Sequence, residues 1–125
     1  IYPAIPDTEL LMNVIHAAKD CGVPHHIGKA RSHDSFYIDR EEEISRYWAQ
    51  RRVMGSDMET AALFTIGALR GVKTASILNT VVEYEGDLRN EINHYVDGEA
   101  SVKQGERNEI LVALEAFLEA EKEKR

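Results

Sequence analysis

The sequence predicts an α/β fold, and three observations carry that prediction. Helical and extended patterns alternate along the chain. Residues 73–82 place Ala75, Ile77, Leu78, Val81 and Val82 in a nearly continuous apolar run. A strand buried on both faces of a parallel sheet reads this way. Two strands are plain and a third is short, fewer than parallel sheets usually need. Helices around so small a sheet leave its edges exposed. The rest of the sheet is therefore expected in missing sequence, a partner chain, or both.

The elements follow in order. Pro6-Asp7-Thr8-Glu9 opens a helix, with Asp7 able to cap free amides and Glu9 suited to the positive end of the dipole. Leu10, Leu11, Val14, Ile15 and Ala18 recur at helical spacing, and Gly22 suits the C-terminal end. Residues 25–30 read as a short strand and residues 32–39 as a polar loop holding two aromatics. Residues 41–52 read as a charged helix carrying Ile44, Tyr47 and Trp48. Residues 53–57 form a short extended segment leading into an apolar helix over 58–69, stopped by Gly71. After the apolar run, residues 83–97 are polar and irregular. A long amphipathic helix follows over 99–122, with Val102, Ile110, Leu111, Leu114, Phe117 and Leu118 as its stripe for core or subunit contact. Gly105 weakens it by about 1 kcal/mol relative to Ala. The residues from Glu119 onward make a solvated charged end.

The bulk properties set bounds. At 125 residues the chain is at most one domain, 1–125, large enough to bury a core. Hydrophobic residues make up 43% and charged residues 30%, as in a soluble globular chain. The net charge of -7 argues against nucleic acid as a main partner, because a phosphate backbone requires clustered Lys and Arg. Cys21 is the single cysteine, which excludes an internal disulfide framework and makes a reducing cytoplasm the default. No apolar run reaches membrane-spanning length. His25 and His26 are adjacent on a strand and face opposite ways, a poor ligand pair, and no metal site is expected. The chain opens on Ile1-Tyr2-Pro3 without an initiator Met, which reads as a piece of something longer.

Three blocks carry a family resemblance. The first is His26-Ile27-Gly28-Lys29-Ala30-Arg31-Ser32-His33-Asp34-Ser35-Phe36-Tyr37. The second is Gly55-Ser56-Asp57-Met58-Glu59-Thr60-Ala61-Ala62. The third is Gly71-Val72-Lys73-Thr74-Ala75-Ser76-Ile77-Leu78-Asn79-Thr80-Val81-Val82. In order and approximate spacing they resemble the nucleoside phosphorylase family: a strand and loop ending in Ser-x-Asp-x-Phe-Tyr, an acidic-Met-Glu motif opening a helix, and the strand after that helix. The chain resembles the C-terminal half of such an enzyme. The resemblance implies a three-layer, mixed-sheet α/β fold flanked by helices, of which this chain holds the C-terminal part.

It also implies a site. Phe36 would stack on the nucleobase, Glu59 would accept hydrogen bonds from ribose hydroxyls, and Met58 would support the sugar. Asp57 occupies the acidic position before the Met, and Val81 and Val82 would line the base pocket at a strand end. The implied reaction is phosphorolysis of a nucleoside to free base and pentose 1-phosphate, without an organic cofactor and with inorganic phosphate as co-substrate. Bonds from Glu59 to a ribose hydroxyl would strengthen as an oxocarbenium-like sugar develops. In the family the phosphate-binding arginines lie mainly in the N-terminal half. This chain alone is therefore expected to be inactive. Members assemble as dimers organised into hexamers, which implies a homo-oligomer.

The chain also departs from the family. Purine phosphorylases and the related nucleosidases carry an Asp general acid where Val82 stands, and a valine cannot donate a proton. Uridine phosphorylases read uracil with a Gln and an Arg shortly after the Phe-Tyr pair. Here Ile38-Asp39-Arg40-Glu41-Glu42-Glu43 is shorter and acidic, with Arg40 the candidate for one of them. A uridine-type pyrimidine enzyme is favoured by elimination. A purine phosphorylase or nucleosidase, and a non-catalytic nucleoside-binding homologue, are the alternatives. Without the family, Glu59 reads as a dipole-complementing residue in a first helical turn, Met58 as packing, and Arg40 as a surface residue.

Overall fold

The computed structural model describes residues 2–82 and 100–123. Its elements run α1 (Thr8–Asp20), β1 (Lys29–Ser32), α2 (Glu41–Ala49), β2 (Val53–Asp57), α3 (Thr60–Arg70) and α4 (Ala100–Glu123). Contacts divide the chain into two units, one of residues 1–11 and 25–76, the other of residues 12–24 and 77–125.

In the first unit β1 and β2 pair in parallel. Parallel strands need a crossover longer than a tight turn, and α2 supplies it. The register pairs Lys29 with Val53, then slips by one residue so that Ala30 meets Gly55, Arg31 meets Ser56 and Ser32 meets Asp57. The bulge thus sets Ser32 opposite Asp57 at the end of the sheet. Helix α2 has an acidic first turn, and Arg46 pairs with Glu42 one turn back at 2.5 Å. It stops three residues short of the expected boundary. Arg51 and Arg52 donate to the carbonyls of Trp48 and Ala49, and Arg52 turns into the left-handed region at φ 59° before β2 begins.

Helix α3 buries Phe64 and Gly67. It ends in a Schellman motif: Val72 N–H donates to Gly67 O at 2.8 Å and Gly71 N–H to Ala68 O at 3.2 Å. Gly71 supplies the left-handed turn at φ 68° that a Cβ would strain. The start of α1 belongs to this unit. Asp7 Oδ1 accepts from Leu10 N–H at 2.9 Å, the expected cap, and Asp7 N–H donates to Thr74 O at 2.8 Å.

Two expectations are corrected here. Residues 72–80 form no strand, and among the described residues the sheet is the parallel β1–β2 pair. An apolar run becomes a strand only when a neighbour accepts its ladder. Of this segment, Thr74 O takes the Asp7 amide, and among the described residues no strand pairs with it. The first strand also lies later than read, at Lys29–Ser32 instead of 25–30, because pairing with Val53–Asp57 defines it. The irregular stretch expected over 83–97 lies outside the described residues.

The second unit has a core of small side chains. Ala17, Ala18, Val112 and Ala116 are buried, with Val14, Cys21, Val23 and Ile77 packed against them. Helix α1 ends at Gly22 in the same Schellman arrangement as α3. The stripe expected on α4 for core or subunit contact does not enter this core. Ile110, Leu111, Leu114, Phe117 and Leu118 are 50–61% exposed, while Val112 and Ala116 face the core. Gly105 has a reason to stand within this helix. The Asn79 side chain lies where a Cβ at Gly105 would project, and Asn79 Nδ2 donates to Val102 O at 3.2 Å. Glu109, on the next turn, has its carboxyl pushed up by burial and by the Glu106 charge, against a bond from the Asn79 backbone.

Candidate functional site

The site grows from the end of β2, where the chain turns from Asp57 through Met58 and Glu59 into α3. A helix start leaves backbone amides without intrahelical partners. Here Asp57 and Ser32 take them. Asp57 Oδ2 accepts the Thr60 amide at 2.7 Å, the Glu59 amide at 3.4 Å and the Thr60 hydroxyl. Asp57 Oδ1 accepts the Ser32 hydroxyl at 2.5 Å. Ser32 Oγ in turn accepts the Ala61 amide at 2.9 Å. With the Thr60 proton given to Asp57, Ser76 Oγ is the donor in its 3.1 Å contact with Thr60 Oγ1. His33 N–H donates to Asp57 O at 3.0 Å and carries the β1–β2 ladder one step further.

The electrostatics agree with the geometry. Partial burial pushes the Asp57 carboxyl up. The bonds from Ser32, the Thr60 hydroxyl and the Thr60 and Glu59 amides together outweigh it and hold the group below the usual carboxylate range. The charge also sits at the positive end of the α3 dipole. Asp57 is thus an anchor for the helix start, its two oxygens already engaged.

Glu59 is different. Its carboxylate is exposed, and Oε2 accepts only the neighbouring Met58 amide, at 3.1 Å, in the contacts described. It caps no amide of α3. Met58 beside it is 38% exposed. The structure therefore brings Asp57, Met58 and Glu59 together and gives them separate tasks: one oxygen pair holds the backbone, the other faces solvent.

The remaining expected residues have other neighbours. Phe36 is 49% exposed in the loop after β1, edge-on to Tyr37 with ring centroids 5.1 Å apart. Arg40 is engaged by Glu43 through two parallel bonds, Nε to Oε2 at 2.8 Å and Nη2 to Oε1 at 2.5 Å. That bond and the Arg40 charge hold the Glu43 carboxyl down. Val81 and Val82 are half-buried and belong to the second unit, whereas Phe36, Arg40, Asp57, Met58 and Glu59 belong to the first.

Sequence reasoning missed the parts played by Ser32, Thr60 and Ser76. One signal was available: an Asp followed three residues later by a residue whose amide needs a partner is a helix-start pattern, and Asp57–Thr60 has it. Ser32 could not be found this way, because its role depends on the bulged register. Among the described residues no group of His, Cys, Asp and Glu could hold a metal ion, and no helix is long and apolar enough to cross a membrane.

Comparison with known proteins adds the family. A model of the phosphorylase superfamily matches residues 1–119. The chain is 45% identical to a DeoD-type purine nucleoside phosphorylase of Bacillus subtilis (strain 168) over 58% of this chain and 30% of that protein. It is 30% identical to a uridine phosphorylase of Thermococcus kodakarensis over 92% of this chain and 42% of that protein. Among solved structures, uridine phosphorylase from Vibrio fischeri ES114 superposes with a TM-score of 0.80 at 42% identity, covering 94% of this chain and 47% of that one. The chain thus spans less than half the length of these relatives. The fold is that of the nucleoside phosphorylases, as the three sequence blocks implied. This chain belongs to the phosphorylase superfamily.

Proposed function

We propose that the protein carrying this chain catalyses phosphorolysis of a nucleoside, with pyrimidine nucleosides such as uridine preferred. A phosphate oxygen attacks C1′ of the pentose as the C1′–N bond breaks. The bonding pair leaves with the base, which takes up a proton, and the pentose leaves as its 1-phosphate. Glu59 accepts hydrogen bonds from ribose hydroxyls and strengthens them as positive charge develops on the sugar. Met58 supports the sugar and Phe36 stacks on the base. Arg40 reads the base edge after leaving Glu43. Phosphate is the co-substrate, and no organic cofactor takes part. The protein acts in the cytoplasm as a homo-oligomer, with phosphate held by residues outside this chain.

One observation carries the reading. An exposed carboxylate, Glu59, stands at the mouth of a parallel pair on a backbone that Asp57 and Ser32 hold fixed. Open α/β sheets bind ligands at this end of their strands. A rigid support for a solvent-facing acceptor suits a group that must bind better in the transition state than in the ground state.

The preference for pyrimidines rests on Val82, where a purine enzyme of this family would carry its general acid. The similarity to the Bacillus subtilis purine enzyme favours a second reading, in which a purine is protonated by another group. The complete protein incubated with uridine and with inosine, with and without phosphate, separates these. Uracil released only with phosphate supports the first reading. Hypoxanthine released only with phosphate supports the second, and its release without phosphate indicates a nucleosidase. Binding of nucleoside without release of base would replace both with a binding protein.

A further inference from the structure

We propose that Ser32 is a positioning residue for Glu59, acting through Asp57 to hold the ribose-binding carboxylate in register. The inference rests on the reading of Glu59 given above. It adds a residue from a different strand, 25 positions before Asp57, that touches no substrate in that reading.

The argument is geometric. Ser32 Oγ makes two bonds at once: it donates to Asp57 Oδ1 at 2.5 Å and accepts the Ala61 amide at 2.9 Å. The other Asp57 oxygen takes the Thr60 amide at 2.7 Å and the Glu59 amide at 3.4 Å. Three consecutive amides, 59 to 61, are thus held by a two-residue clamp whose halves come from the ends of β1 and β2. Without the Ser32 hydroxyl, the Ala61 amide loses its partner and the Asp57 carboxylate loses its second anchor. The carboxylate is then free to rotate, and the backbone beneath Glu59 loosens with it.

The same residue closes β1 just before the loop that carries Phe36. One hydroxyl therefore ties the support of the sugar-binding side to the strand that launches the base-binding side. Small displacements of a positioned group are costly to catalysis, about a hundredfold for a misplacement near 1 Å.

The test uses the complete enzyme as parent, Ser32→Ala, Ser32→Thr and Glu59→Ala. Initial rates are measured with phosphate on a ribonucleoside and on its 2′-deoxy and 3′-deoxy analogues, corrected for folded fraction by denaturation. The expected result for Ser32→Ala is a loss of roughly tenfold to a hundredfold in kcat/KM on the ribonucleoside, mostly in kcat. The loss is smaller on the analogue lacking the hydroxyl that Glu59 holds, so discrimination between the two sugars shrinks. Ser32→Thr restores most of it. An equal loss on all sugars, or no loss per folded enzyme, overturns the proposal. If Glu59→Ala abolishes sugar discrimination while Ser32→Ala leaves it intact, the positioning role alone fails. If Glu59→Ala leaves discrimination intact, or the parent releases no base, the underlying reading fails and takes this one with it. Should Ser32→Ala not fold, Ser32→Cys keeps the size with a weaker hydrogen bond and is read by the same ratios.

Discussion

Removing the Asp57 carboxylate should destabilise the fold by an amount set by the bonds it receives. The group accepts two hydroxyls and two amides, from Ser32, Thr60 and Glu59. A lost helix-capping side chain costs about 0.5–2 kcal/mol, and a bond to a charged group contributes about 1.5–3 kcal/mol. Simple addition overshoots, because the half-buried donors left behind can recover water. Asp57→Ala is therefore expected to cost about 2–3 kcal/mol at pH 7, and Asp57→Asn, which keeps one acceptor, about 1 kcal/mol. Urea denaturation of the complete protein gives both differences directly, provided the slope is unchanged. The pH dependence has a definite sign. The folded-state pKa lies below its unfolded value. The carboxylate's contribution is therefore fully present above the unfolded value, about 3.9, and is lost as pH falls through the lower folded value. The gap between parent and Asp57→Asn should hold from about pH 7 to 5, begin to narrow near pH 4 and close only below the folded value. A cost under about 0.5 kcal/mol for Asp57→Ala would refute the anchoring role. A gap undiminished in acid would refute its assignment to the charge.

Other perturbations probe other parts. Glu59→Ala should lower kcat/KM on a ribonucleoside by about 10²–10³-fold, as for loss of a transition-state hydrogen bond, while leaving the unfolding free energy within about 0.5 kcal/mol; unchanged turnover would remove Glu59 from the site. Gly71→Ala meets no neighbouring atom within 4 Å, so its expected loss of about 1 kcal/mol in urea denaturation reports the left-handed backbone alone. Arg52→Gly, at a non-glycine position with positive φ, should gain about 0.5–1 kcal/mol in the same assay. Ala116→Leu should cost about 1–3 kcal/mol by overfilling a site that is 1% exposed, seen as a lower thermal midpoint.

What could be read from the sequence was whatever depends on near neighbours. The segment Val53–Asp57 was placed to the residue, because a strand between a turn and an apolar helix has few alternatives. Asp7 as a cap and the glycine ends at 22 and 71 followed from local chemistry. The Asp57-Met58-Glu59 triplet stood out through its family motif. Which acid does what did not, because Asp57 and Glu59 differ only in what lies opposite them. Helix α3 starts at Thr60, not at 58, with Leu63 N–H donating to Glu59 O as its opening turn. The stripe on α4 shows the limit of periodicity: it finds the large apolar residues, whereas the covered face is set by Val112 and Ala116 against the alanines of α1. The expected strand over 73–82 failed for a related reason. Composition can make a segment fit for a sheet, but pairing needs a ladder with a second strand, and among the described residues none forms one with it.

The clamp between Ser32 and the start of α3 joins residues 29 positions apart. The amides of Glu59, Thr60 and Ala61 should therefore not behave as the fraying end of an isolated helix, which opens at almost no free-energy cost. Their protection depends on the crossover through α2 having closed and on the bulged register having locked. They should exchange hydrogen for deuterium on the timescale at which the parallel pair itself opens. The backbone beneath Glu59 would then be either fully set or absent, and a partly folded chain would offer no half-formed version of it.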